Sequence, residues 1–202
     1  LLTLGDSYAA EGDLDEADAA YAQIGVEAPG FHDEGWMKRG NLFKAKKDLP
    51  GMKKLYADFL EKRPESPRIA EALQWLGWVA KQEGRIPEAR EIYWDAIQRF
   101  GNDTARPGLE DIFLGLQTFY NATEKPELES KLNDTLSSAK TSKKKRFVTR
   151  LGWALAQLHL TKKTDETPEQ RAAKAREALV ALVPEIDPKE TAPRILADVG
   201  DA

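Results

Sequence analysis

Cysteine is absent from the 202-residue sequence. Its absence excludes a disulfide scaffold, a zinc-thiolate site and a cysteine nucleophile. Histidine is almost as scarce, with only His32 and His159 present, so most metal-binding and acid–base arrangements lack their usual groups. No apolar run approaches the roughly 18 residues of a membrane span. Also missing are a glycine-rich phosphate loop, a Gly-x-Ser-x-Gly elbow and a His-Glu-x-x-His helix. No catalytic residue, cofactor site or metal site is therefore expected. The strongest exception is Phe31-His32-Asp33-Glu34, read as part of a turn in which Asp33 or Glu34 caps the next helix. His159 is read near a helix end, where an imidazole interacts favourably with terminal carbonyls.

The hydrophobic fraction of 41% is enough for a folded core in one or two domains. Charge of one sign is missing locally: residues 1–35 hold nine acidic side chains and no Lys or Arg, which leaves the remainder at +5 for a net charge of -4. Residues 140–163 show the reverse bias, with Lys140, Lys143, Lys144, Lys145, Arg146, Arg150, Lys162 and Lys163 and no acid. A second basic cluster comprises Lys38, Arg39, Lys44, Lys46, Lys47, Lys53 and Lys54. Nucleic-acid binding normally requires a basic domain with interleaved aromatics, and this chain is net acidic, so nucleic acid is not an expected partner. The clusters read as solvated surface or as contacts for an acidic protein or anionic lipid. Acid-rich helix starts and attraction between the acidic and the basic segment account for the bias without any partner. The chain opens on Leu1-Leu2-Thr3-Leu4-Gly5, without an initiator Met and already inside an apolar-periodic segment; it reads as a fragment of a longer protein.

Helix-type periodicity recurs along almost the whole chain. One window runs Leu1, Leu4-Gly5, Tyr8, Gly12, Leu14, Ala17, Tyr21, Ile24. The same spacing returns from Trp36 through Gly40, Phe43, Leu49, Met52, Tyr56 and Phe59, and again from Leu73 through Gly77, Ala80, Gly84, Ile86, Ala89, Tyr93 and Ala96. A glycine in mid-helix costs about 1 kcal/mol relative to alanine, so its recurrence implies a close approach of the next helix. Pro50, Pro87 and Pro126 each mark the start of a second helix, where a missing N–H is harmless. Asp13 and Glu16 have the spacing of a capping box. Two looser windows follow, Ile112 to Leu136 and Val148 to Leu182, the last with an extended turn at 161–168.

This spacing resembles the tetratricopeptide repeat family. The resemblance implies an all-α, right-handed α-α superhelix of about five helical hairpins plus a short C-terminal helix, in one solenoid domain. The hairpins fall at about 1–30, 33–65, 69–102, 109–140 and 144–187, with a tail over 188–202. The fourth departs from the pattern, because Gly115 sits one place out of register. Residues 19–24 and 89–100 look more like the bacterial cell-envelope subgroup, which implies a periplasmic or envelope setting.

The resemblance also implies a concave groove lined by the first helices. By the family spacing its residues are Met37, Asn41 and Lys44; then Gln74, Trp78 and Lys81; then Phe113, Gln117, Tyr120 and Asn121; then Thr149, Trp153 and Gln157. Aromatics alternate with amides in this set, which suits an extended peptide or short helix. The competing arrangement has Trp75, Trp78 and Trp153 filling the core, or the chain's own last helix lying over them. The Lys/Asn/Arg constellation with which chaperone-binding members grip a terminal carboxylate is not reproduced, since Asp6, Met37 and Trp75 stand in its place. The expected function is a non-catalytic protein-interaction or scaffold module with a protein or peptide partner. The alternatives are a structural spacer or self-association unit, or a helical accessory domain of a larger enzyme.

Overall fold

The computed structural model describes residues 1–161 and 166–202, and among these it contains eleven α-helices and no strand. Three helical hairpins come first: α1 (Leu2–Glu11) with α2 (Leu14–Ala22), α3 (Pro29–Ala45) with α4 (Leu49–Lys62), and α5 (Ile69–Gln82) with α6 (Ile86–Phe100). Then come α7 (Leu109–Leu116), extended by a 3-10 turn at Gln117–Phe119, α8 (Lys125–Thr141), α9 (Lys145–Leu160), α10 (Pro168–Val180) and α11 (Pro193–Gly200). Each helix packs on the next in sequence from α1 to α7, and α8 on α9 on α10, while α1 also touches α3, α5 touches α7, and α7 touches α9. This is an all-α helical solenoid, as the resemblance implied. The extended turn expected at 161–168 includes residues 162–165, with Lys162 and Lys163, which lie outside the described residues.

The glycines of the first helices have a common partner. A Cβ at Gly5 would lie 2.3 Å from the Tyr21 ring, one at Gly40 would lie 1.9 Å from the Tyr56 hydroxyl, and one at Gly77 would lie 2.3 Å from the Tyr93 ring. Each tyrosine comes 16 residues after its glycine and is buried. The ring therefore occupies the space where a side chain would stand, and the two helix backbones approach closely. Burial raises the Tyr56 and Tyr93 hydroxyls above the ordinary tyrosine range, as it does for Tyr21 together with a hydrogen bond to Asp6.

The turns follow local rules. Gly12, Lys47 and Gly84 close the three hairpins in the left-handed conformation, with φ of 90°, 56° and 76°. In each, the next residue's N–H reaches a carbonyl five residues back: Asp13 to Tyr8, Asp48 to Phe43 and Arg85 to Ala80, at 2.8–2.9 Å. Pro50, Pro87 and Pro126 occupy the first turns of α4, α6 and α8 as expected. Asp48 caps α4 through Gly51 N–H, whereas Asp13 makes no side-chain cap bond. The capping box expected there does not form, and Asp15 and Glu16 serve the helix dipole alone.

The same left-handed turn recurs at Lys143, φ 55°, with Lys144 N–H on the Ala139 carbonyl. It joins α8 to α9, so past α6 the alternation of tight and long connections changes phase. α9 is interior: 11 of its 16 residues are buried, under α7, α8, α10 and the turn at Val183–Glu185. The largest core cluster runs from α5 to α11, while smaller ones serve the second hairpin with part of α5 and the first hairpin with Leu42.

Two stability effects follow. Gly77→Ala should cost about 1–3 kcal/mol by overpacking against a Tyr93 ring that is itself held between helices. Lys47→Gly should add roughly 0.5–1 kcal/mol by relieving the left-handed strain. Urea unfolding of each variant measures both.

Candidate functional site

Helical spacing places Asn41 and Lys44 on one face of α3, and Gln74, Trp78 and Lys81 on one face of α5. Trp75 and Trp78 are half-buried and meet edge to face, with ring centroids 5.8 Å apart. Trp75 also stacks on Tyr56 at 6.5 Å. Lys44 crosses from α3 to lie 4.7 Å from the Trp75 centroid and 5.5 Å from that of Trp78. Lys81 crosses from α5 in the same sense, donating to Thr118 Oγ1 at 2.9 Å and lying 5.5 Å from the Phe119 ring. The result is an aromatic-lysine surface running from α3 across α5 to the end of α7. Gln117 stands beside it with a buried side-chain oxygen that has no hydrogen-bond donor among the described residues.

Several residues expected on this surface lie elsewhere. Met37 is buried among Met52, Tyr56, Phe59 and Val79, because it faces α4 rather than solvent. Phe113 is buried in the large core, edge to face with Phe147. Tyr120 is buried and accepts the Trp94 indole N–H at 3.1 Å. Asn121 is exposed, but its Oδ1 accepts from Thr123 and from Glu124 N–H, which shapes the start of α8. Thr149 is buried and bonds back to the Lys145 carbonyl. Trp153 is 0% exposed, and its indole N–H, with the Gln157 amide, donates to Asp198 of α11 at 2.6 and 2.9 Å. The last helix therefore covers the α9 end. What stays accessible is Asn41, Lys44, Gln74, Trp78, Lys81 and Gln117, joined by Trp75 and Thr118. Trp75 was placed in the core, with Trp78 and Trp153, by the competing arrangement, and Thr118 carries no sequence signal.

The other candidates are structural. Residues 31–34 lie inside α3, not in a turn, because Pro29 starts that helix early. His32 Nε2 accepts the Trp36 indole N–H at 3.3 Å. Asp33 is buried and accepts from Arg63 at 2.8 Å and Ser66 at 2.6 Å. Burial works against its charge, but these hydrogen bonds, with Arg63's charge and His32 nearby, hold it below the usual carboxylate range. His159 Nδ1 lies 3.8 Å from Glu129. Among the described residues no group of acids and histidines could hold a metal, and no helix is long and apolar enough to cross a membrane.

The uneven charge is spent inside the chain. Lys38 pairs with Asp6 at 2.7 Å, Arg39 with Asp18 at 2.7 Å and Lys46 with Asp15 at 2.6 Å, so the second hairpin offsets part of the first one's charge. The Lys38 bond, with that from Tyr21, holds Asp6 below its ordinary range. In the +8 segment Arg150 is buried, bonded to the carbonyls of Gly101 and Asp103 and to Glu110. Arg146 pairs with Glu190. Lys140, Lys143, Lys144 and Lys145 remain exposed.

A stack of close-packed antiparallel helix pairs with a polar-aromatic face on its first helices defines a helical-repeat fold. The family comparison gives the particular kind: residues 1–30 match the tetratricopeptide repeat model, and the fold of the described residues is a tetratricopeptide-like helical solenoid. No curated protein matches it. Among solved structures it is similar to the crystal structure of BtubC (BKLC) from P. vanneervenii, at 14% identity and a TM-score of 0.53, over 94% of this chain and 80% of that one. At that identity the likeness is one of fold.

Asp33 gives a pH-dependent signature. Its folded pKa lies below the unfolded value near about 3.9, so its stabilisation is present above that value and lost as pH falls through the folded pKa. Asp33→Asn should cost roughly 1–3 kcal/mol at pH 7, and the gap to wild type should close between about pH 5 and pH 2 in urea titrations.

Proposed function

We propose that this chain is a non-catalytic protein-interaction module that holds an extended peptide or short helix of a partner against the α3–α5–α7 face around Trp78. Tetratricopeptide repeats generally mediate protein–protein contacts and scaffolding and are generally non-catalytic. The observation that carries the reading is the half-buried Trp75–Trp78 pair with Lys44 above it. An indole pair offers large apolar area at little conformational cost, and aromatic anchors dominate binding energy at interfaces. Asn41 and Gln74 supply amides able to pair with a partner's backbone. Lys44 and Lys81 set orientation and association rate more than affinity.

A structural observation also favours the self-association reading. Leu1, Leu4, Val26 and Phe31 are 47–65% exposed, and Leu1 and Phe31 line a cleft of about 360 Å³ with Leu2, Ile24 and Ala28. That end could stack on another helical unit.

Affinity capture separates the two. Trp78→Ala should lower partner binding by about 30-fold or more with helicity unchanged by circular dichroism, and Lys44→Gln should lower it less and only at low salt. Equal capture by wild type and Trp78→Ala would remove the face from the argument. Sedimentation that shifts with concentration would support stacking at the Leu1–Phe31 end.

A further inference from the structure

Positive charge left over after internal pairing gathers at one turn. Lys38, Arg39, Lys46 and Arg63 are held by acids of the first hairpin and of α3. Arg90 is held by Glu124, Arg106 by Asp103, Arg146 by Glu190 and Arg150 by Glu110. Lys140, Lys143, Lys144 and Lys145 differ: all four are exposed, and among the described residues none of their side chains makes an ion pair, a hydrogen bond or a ring contact. They crowd into six successive positions around the left-handed turn between α8 and α9.

Several local preferences are broken there together. Lys140, Lys143 and Lys144 put like charges three and four positions apart, where they repel. Lys144 and Lys145 stand at the positive end of α9, with no acid in its first turn and no side-chain cap. Lys143 takes a φ of 55°, a conformation in which a side chain is strained. Lys47 takes the same conformation between α3 and α4, but Asp48 follows it and Lys46 is paired with Asp15. That turn carries its own counter-charge, whereas the α8–α9 turn does not. Preferences broken together at one place are expected where a surface serves something other than folding.

Beside the turn lies a polar cleft of about 280 Å³ between α6, α8 and α9, walled by Gln98, Asp134, Thr135, Ser138, Ser142 and Lys144. We propose that the α8–α9 turn and this cleft form a docking surface for an acidic segment of a partner protein. Carboxylates of the segment neutralise the four lysines and remove their mutual repulsion. Its backbone pairs with the hydroxyl and amide groups of the cleft, and Asp134 repels acids from the α8 wall, so the segment's charge faces residues 143–145. Two other polyanions fit less well. A bilayer is flat and cannot enter a cleft, and none of the large exposed apolar side chains lies between 133 and 147 to insert into it. Nucleic acid stacks its bases on rings, and the single aromatic residue of that stretch, Phe147, is buried. The surface uses α6, α8 and α9 rather than α3, α5 and α7, and stands without the Trp78 face.

The test follows the fluorescence anisotropy of a fluorescein-labelled deca-glutamate peptide on the full chain. A variant carrying Lys143→Gln, Lys144→Gln and Lys145→Gln should bind it about ten-fold more weakly than wild type, and the difference should shrink as salt rises from about 0.05 to about 0.3 M. A control carrying Lys47→Gln, Lys53→Gln and Lys54→Gln loses the same net charge from the second hairpin and should stay within about two-fold of wild type. All six side chains are exposed, and circular dichroism melts check that both variants fold. No measurable binding of the peptide to wild type overturns the proposal. Equal losses in the two variants also overturn it, because the peptide then reads net charge alone. So does tighter binding of phosphatidylserine vesicles or oligothymidine than of the peptide, if the 143–145 variant abolishes it, which would give the turn to a lipid or nucleic-acid surface.

Discussion

The close approach of a glycine in one helix to a tyrosine in the next is the contact on which the architecture rests. Gly5 with Tyr21, Gly40 with Tyr56 and Gly77 with Tyr93 repeat one geometry at one spacing. With the backbones this close, the tyrosine ring fills the space between the two helices of a hairpin. Lys44 and Lys81 follow Gly40 and Gly77 by one helical turn and so stand beside the close approach, each reaching an aromatic ring of the next helical unit. Tyr93 extends the arrangement, since a Cβ at Gly115 in α7 would also lie 2.8 Å from its ring. One side chain therefore spaces α5, α6 and α7 together.

The charge distribution acts on the linker edge of the stack. Asp33 binds Arg63 and Ser66; the Ser66 carbonyl receives Arg106 at 3.4 Å; Arg106 pairs with Asp103; and the Asp103 carbonyl receives Arg150. Successive connections are thus fastened to one another by groups that are largely screened from water, where a charged hydrogen bond is worth more than an exposed pair. Stacking of the hairpins is specified twice, once by apolar packing and once along this polar seam.

The first three hairpins were legible because each carried a local signal: a glycine at the close approach 16 residues before its tyrosine in all three, and a proline at the second helix start in the second and third. The face around Trp78 was legible for the same reason. Trp153 was misplaced because a 3.6-residue period reports which face is apolar, not how many neighbours a helix has. The run Leu151-Gly152-Trp153-Ala154-Leu155-Ala156 is apolar all round, and a helix apolar all round is buried; that signal was available. Met37 and Phe113 failed differently, since their sides of α3 and α7 are decided by tertiary packing that no local rule encodes. The start of α3 was missed because Pro29 was taken as the end of a repeat rather than the first turn of a helix.

The apolar interior is not one continuous body. Ala17, Tyr21, Ile24 and Leu42 form a small cluster of their own, the second hairpin shares another with Ala72 and Val79 of α5, and a third and far larger one runs from Ala70 and Leu73 of α5 to Ile195 of α11. Stability in a stacked array is a sum over neighbours, so resistance to opening rises from α1 towards α9. Under a pull applied to its two ends the chain would yield in steps, shedding α1 and α2 first and keeping the body around Trp153 folded longest. A scaffold built this way can lengthen at one end under load while its other end holds shape.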